Sequence, residues 1–164
     1  MYKNGDLVVY GASGVCKVDG VCKRDFGAKL MEYYVLKPIF AQTTTIYAPK
    51  ETMGSQPNIR AVMTDTDANR IIAEFSEYND EWIINDIERK ASFRNVMKNT
   101  STENLARMIK TIYVRRKALS SASKHLHSYD EEMLKNAEKL LFNELAFALN
   151  TSFEDINAQI KSKI

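Results

Sequence analysis

The chain has 164 residues, 45% of them hydrophobic, and a formal net charge of +2. This is the composition of a globular protein with a real core, enough for one ordinary domain or two small ones. No apolar run approaches the roughly 18 residues that a bilayer crossing needs, and the first residues lack the apolar stretch and small-residue cleavage site of a signal peptide.

The small net charge conceals an asymmetry. Residues 1–59 carry seven basic and five acidic side chains (+2), residues 64–88 one and eight (−7), and residues 89–117 nine and one (+8). Such blocks suggest two faces with different partners, or a surface whose blocks pair with each other.

Short β-rich runs come first. "DLVVYG" (6–11) is a strand entered through Asn4-Gly5-Asp6, and "GASG" (11–14) is a tight hairpin turn. "GVCKVDGVCKR" (14–24) alternates, with Cys16, Val18 and Cys22 on one face. Cys16 and Cys22 are then about 20 Å apart, too far for a disulfide, so they read as reduced thiols of a cytoplasmic protein. "DFGAKL" (25–30) turns the chain, "MEYYVLK" (31–37) and "TTTIYAP" (43–49) are strands, "MGSQPN" (53–58) turns again, and "IRAVM" (59–63) adds a last strand. Five short strands in about 60 residues make a small, strongly bent barrel or sheet.

From residue 64 the period is helical. "TDTDANRIIAEFSE" has cap candidates in Thr64 to Asp67 and buries Ile71, Ile72 and Phe75. A second helix is expected over 80–99, opened by acids. A third covers 101–120, with Thr100-x-x-Glu103 as a capping box and a core stripe of Leu105, Met108, Ile109 and Ile112. The fourth, 128–150, is capped by Ser128 and carries the strongest stripe, Met133, Leu134, Ala137, Leu140, Leu141, Leu145 and Ala148. A short helix begun by Thr151 or Ser152 ends the chain. "SSASKHLHS" (120–128) is a polar loop. The fold class is α+β, a barrel-like domain over 1–60 and an all-α bundle over 64–164.

No nucleophile elbow, phosphate loop, dinucleotide fingerprint or zinc-helix motif is present, so no enzymatic constellation emerges and no metal or other cofactor is expected. His125 and His127 could clamp a metal if extended, but solvation of a loop is the plainer reading. The basic block is the better lead. In "IERKASFRNVMK", Arg89, Lys90, Arg94 and Lys98 surround Phe93 and Met97 within one half-turn, while Arg107, Lys110 and Lys117 share a stripe on the next helix. Such a surface could track a phosphate backbone, with Phe93 stacked on a base or wedged in the minor groove. Alternatively Phe93 and Met97 pack on the C-terminal helix. Trp82 has the same two readings, helix anchor or exposed ring.

The residues Gly5, Asp6, Val8, Val9, Tyr10, Gly14, Val15, Tyr33, Tyr34, Val35, Leu36 and Pro49 resemble the pattern of the CarD/CdnL family of bacterial transcription regulators. Gly11 stands where that family usually has Pro, and Cys16 where it often has Gly. The resemblance extends through "EWIINDIERKASF" and "IKTIYVRRKA". It implies a Tudor-like N-terminal barrel that binds the RNA polymerase β subunit by strand pairing at a sheet edge. Contacts would lie at Lys23, Arg24, Asp25 and Phe26, with Tyr47 on the neighbouring strand. It further implies a helical domain that meets promoter DNA. Taken with the basic stripes, the DNA surface is expected at Arg89, Lys90, Phe93, Arg94, Lys98, Arg107, Lys110, Arg115 and Arg116, with little sequence readout and in a chain read as a monomer. Phe93 would take the place of the relatives' wedging Trp, and Lys98 that of a downstream Lys. The rival reading is an adaptor whose basic surface binds an acidic protein.

Overall fold

The computed structural model describes residues 1–27, 29–41, 43–51, 58–99 and 101–164. Five strands precede five α-helices, in two compact units, Met1–Val62 and Met63–Ile164.

In the first unit, β1 (Leu7–Tyr10), β2 (Val15–Asp25), β3 (Leu30–Pro38), β4 (Ile46–Pro49) and β5 (Ile59–Ala61) form one antiparallel sheet. Its order is β4-β3-β2-β1-β5. Among the described residues β4 pairs only with β3 and β5 only with β1, so the sheet is open. The Gly11–Ser13 segment is a single 3-10 turn between β1 and β2, and the Tyr10 N–H donates to the Gly14 carbonyl at 3.0 Å. "GASG" is therefore a strand connection. The expected turn at 53–58 lies, apart from Asn58, outside the described residues. One face of the sheet buries Val8, Cys16, Val18, Tyr34, Leu36 and Ala48.

A bulge decides what the other face presents. β2 and β3 are in register from Cys16↔Pro38 to Val18↔Leu36, and again from Val21↔Tyr34 to Asp25↔Leu30. Between these runs β2 advances one residue more than β3, at Asp19–Gly20, where Gly20 takes φ 120. One extra residue swaps the face of everything after it. Plain alternation puts Cys22 with Cys16 and Val18. The bulge instead keeps Val21 on that side and turns Cys22 and Arg24 to the opposite face, with Phe26 following.

In the second unit the helices are α1 (Asp65–Glu74), α2 (Asp86–Asn99), α3 (Thr102–Ser121), α4 (Ser128–Ala148) and α5 (Phe153–Lys161). Side-chain caps fix three starts: Thr64 accepts from the Asp67 N–H, Ser101 from that of Asn104, and Ser152 from that of Asp155. Thr100 lies outside the described residues, and Ser101 takes the capping role expected of it. Ser128 is the first residue of α4 rather than its cap. The second helix begins at Asp86, not at residue 80, with Asn85 Oδ1 accepting from the Glu88 N–H at 3.0 Å. Residues 78–85 run irregularly before it. The core gathers Ile71, Phe75, Leu105, Ile109, Ile112, Leu134, Leu141, Leu145, Ile156 and Ile160, so the stripes read for the first, third and fourth helices face inward.

No helix among the described residues is long and apolar enough to cross a membrane. Among those residues no group of three or more His, Cys, Asp or Glu side chains is placed to hold a metal ion.

Candidate functional site

Each unit carries one region that collects the chemistry singled out by the sequence. On the sheet, Arg24, Phe26 and Tyr47 come together. The Arg24 guanidinium donates through Nη2 to Tyr47 Oη at 3.0 Å and lies 4.4 Å from that ring's centroid. Phe26 meets the Tyr33 ring edge-on at 5.2 Å and the Tyr47 ring at 6.0 Å. Tyr47 is on β4, two strands from β2, so Arg24 reaches across β3 to touch it. Phe26 remains 61% exposed although it covers Tyr33. A large ring left in water beside an oriented guanidinium is the composition of a protein-docking hot spot. Lys23 and Asp25 are exposed but belong to the opposite face by register, Lys23 across from Glu32 and Asp25 across from Leu30. Asp25 Oδ1 accepts from the Gly27 N–H at 3.0 Å and shapes the β2–β3 turn.

In the helical unit the expected DNA face divides. Arg89 is only 2% exposed. Its Nε and Nη2 donate to the two carboxylate oxygens of buried Asp130, both at 3.0 Å, and Nη2 also donates to Asp86 at 2.7 Å. Its Nη1 donates to the carbonyls of Ile83 and Ile84 at 3.1 and 3.3 Å, and Trp82 lies over the guanidinium at 4.7 Å. Burial disfavours its charge, but the bonds to Asp130 and Asp86 outweigh this and hold its pKa above the usual arginine value. The same bonding to Arg89 holds the Asp86 carboxyl below the usual carboxylate range. Arg89 thus clamps the irregular 82–86 segment to α4. By taking the Ile83 and Ile84 carbonyls, it also accounts for the late start of α2.

Phe93 is 5% exposed, edge-on to Trp82 at 6.1 Å and inside the helical core. The expectation that Arg89 and Phe93 face DNA is corrected here: both point inward. Arg107 is held by Glu103 at 3.1 Å and Asp80 at 3.1 Å, and lies over the Tyr78 ring. Lys110 donates to the Ser76 carbonyl at 3.2 Å. Arg116 lies 3.7 Å from Glu131. Part of the basic block is therefore tied to neighbouring acids and carbonyls.

The remaining cations share a side. Ile87, Lys90, Ala91, Arg94 and Lys98 follow an i, i+3, i+4, i+7, i+11 spacing along α2, opposite the inward Arg89, Phe93 and Val96. Among the described residues no ion pair engages Lys90, Arg94, Lys98, Arg115, Lys117 or Lys124; Lys90 lies 5.1 Å from the Tyr129 ring and Arg115 5.6 Å from that of Trp82. At the N-terminal end of this stripe Ile84 is 86% exposed and Ile87 79%. From the sequence the apolar group among these cations is expected to be Phe93, which is buried, whereas Ile84 and Ile87 are the exposed apolar side chains here. Trp82, beside Ile84 in the same cavity wall, is half-buried.

Residues 2–63 match the family model of the CarD-like/TRCF RID domain. The chain carries a CarD-like domain. The matched span is that of the sheet unit, and the motif residues from Gly5 to Pro49 lie inside it. A CarD-like/TRCF RID domain is an RNA-polymerase-interacting module, of a kind that serves interaction and regulation rather than catalysis. No curated protein matches the chain.

Proposed function

We propose that this CarD-like protein is a transcription regulator that docks on the RNA polymerase β subunit through its sheet unit and rests its helical unit on promoter DNA. The observation that carries the reading is the CarD-like/TRCF RID match over the unit that exposes Arg24, Phe26 and Tyr47. The domain type implies a β-subunit contact. We take the bent five-stranded sheet as its Tudor-like form. Among the described residues β4 pairs with no strand besides β3, so its outer edge can receive an added strand, and the neighbouring Arg24–Tyr47–Phe26 cluster adds side-chain contacts.

The DNA contact in this reading is the outward stripe of α2. Lys90, Arg94 and Lys98 neutralise backbone phosphates, and the exposed Ile84 and Ile87 supply the apolar contact of a minor-groove surface. Phe93 has no part in it. A protein that holds melted promoter DNA better than closed duplex shifts the opening equilibrium by the difference in the two affinities. Tethering on polymerase raises the local concentration, so each DNA contact can be weak.

The test is co-purification of polymerase β with the full-length chain and its Arg24→Glu variant, together with salt-dependent binding to a promoter fragment. Retention of β by wild type, its loss in Arg24→Glu and a steep salt slope for DNA support the reading. A β subunit retained equally by Arg24→Glu removes the cluster from the interface. A flat salt response leaves the adaptor reading, in which the same cations meet an acidic protein.

A further inference from the structure

A cavity of about 460 Å³ opens where the 82–86 segment, the C-terminal half of α3, the 122–127 loop and the start of α4 meet. Its cationic wall is Arg115 and Lys124, joined by His125 and His127; Trp82 and Ile84 form the apolar wall. The acids facing it are Asp86 and Asp130, and both are already hydrogen-bonded to Arg89, which also lines the cavity. A second cavity of about 480 Å³ on the other side of the loop shares Lys124 and His125 and adds Arg116 and Lys117, with Glu131 as its acid.

The loop is built to hold these side chains in place. Ser123 adopts a left-handed φ of 54, its N–H donates to the Ser120 carbonyl at 3.0 Å, and the Lys124 N–H donates to the Leu119 carbonyl at 2.8 Å. This is the Schellman arrangement, here without the usual glycine. Leu126 is buried in the helical core, while Lys124, His125 and His127 on either side of it are exposed. Alternation about one anchored leucine sends both histidines to the solvent side.

We propose that this cleft is a phosphate-binding subsite, with Arg115 and Lys124 as the principal donors and His125 and His127 as additional ones. A guanidinium supplies forked donors to a phosphate, an ammonium supplies a point charge, and an exposed imidazole adds an N–H. The half-buried Trp82 ring, with the Arg89 guanidinium at 4.7 Å and the Arg115 guanidinium at 5.6 Å, borders the subsite and holds Arg115 beside it. The subsite rests in part on the DNA-binding reading, because the nearest source of phosphate in that reading is the promoter backbone beyond the end of the α2 stripe. A free di- or polyphosphate would engage the same donors.

The experiment uses the full chain, an Arg115→Gln/Lys124→Gln variant and a Lys90→Gln/Arg94→Gln variant, all checked for unchanged thermal melting. One arm follows the imidazole resonances of His125 and His127 on titration with inorganic pyrophosphate. The other measures the salt dependence of binding to a promoter duplex. Shifts of both imidazoles in wild type and in Lys90→Gln/Arg94→Gln, lost in Arg115→Gln/Lys124→Gln, establish the cleft. A fall of about 1 to 2 in the DNA salt slope of Arg115→Gln/Lys124→Gln assigns the phosphate to DNA. An unchanged slope with a lost pyrophosphate shift assigns it to a free ligand. If wild type shows no salt-dependent DNA binding, the functional reading falls and the pyrophosphate arm alone decides the cleft. No imidazole shift together with an unchanged DNA slope overturns the proposal.

Discussion

Phe93 and Arg89 show how one residue can be misjudged by the charge around it. A helix with four basic side chains within ten positions, Arg89, Lys90, Arg94 and Lys98, invites an outward reading of everything between. The geometry separates them by about 100° per residue. Phe93 packs on Trp82 inside the core, so Phe93→Ala is expected to cost about 3–5 kcal/mol of stability in denaturant unfolding. DNA affinity measured on the remaining folded protein should stay close to wild type. Arg89 and Asp130 form a buried pair, and removing one partner leaves the other charged and desolvated. Asp130→Asn is expected to destabilise the helical unit by about 3–5 kcal/mol, read from the same unfolding curve. A variant as stable as wild type would mean that the clamp on residues 82–86 is incidental. The two thiols should also differ. Burial pushes the Cys16 thiol up to about 11, whereas Cys22 is partly accessible on the other face of the sheet. Alkylation of native protein at neutral pH should therefore label Cys22 first, and mass spectrometry of the labelled peptides reports the order.

At the scale of elements, most of the fold was legible because period-2 and period-3.6 patterns were strong. Ile71, Leu105, Ile109 and Ile112 and the stripe from Leu134 to Leu145 face the core as their spacing requires. What escaped were departures from period. The bulge at Asp19–Gly20 reverses the face of Cys22 and of Arg24, and its only sequence signal is a glycine within a strand. Gly20→Val is expected to strain a φ that side chains rarely adopt, at a cost of about 1–3 kcal/mol, and to misdirect Arg24 and Phe26. Its measurable sign is loss of polymerase β from a pull-down at a temperature where the protein stays folded. Undiminished capture would detach the bulge from the interface. The late start of α2 escaped for a related reason. Residues 80–85 look helical, but the Ile83 and Ile84 carbonyls are taken by the Arg89 guanidinium, a contact with no local signature. The loop after α3 looks like plain solvation in the sequence because Lys124, His125 and His127 are polar. The alternation about Leu126 was the signal available there.

For the whole molecule, the charge asymmetry of the sequence is real but smaller at the surface than in the count. Arg107 with Asp80 joins the basic block to the acidic one, and Arg89 with Asp86 does the same inside the fold. Among the described residues, cations without an ion pair run from Lys98 and Arg94 through Lys90 along α2, with Arg115 and Lys124 around the cleft beyond Trp82. In the proposed reading the sheet unit and the helical unit have separable tasks, and variants should sort accordingly. Arg24→Glu should remove polymerase binding and leave intrinsic DNA binding intact. Reversing the α2 cations should do the opposite, lowering the DNA salt slope by about 2 to 3 for three lost phosphate contacts. The most direct test is the lifetime of a promoter open complex under competitor challenge, with polymerase alone, with wild-type protein and with the Lys90→Glu/Arg94→Glu/Lys98→Glu variant. Wild type should change the lifetime, and the variant, still bound to polymerase β, should return it to the polymerase-alone value. A variant that changes the lifetime as much as wild type would contradict a DNA contact through α2.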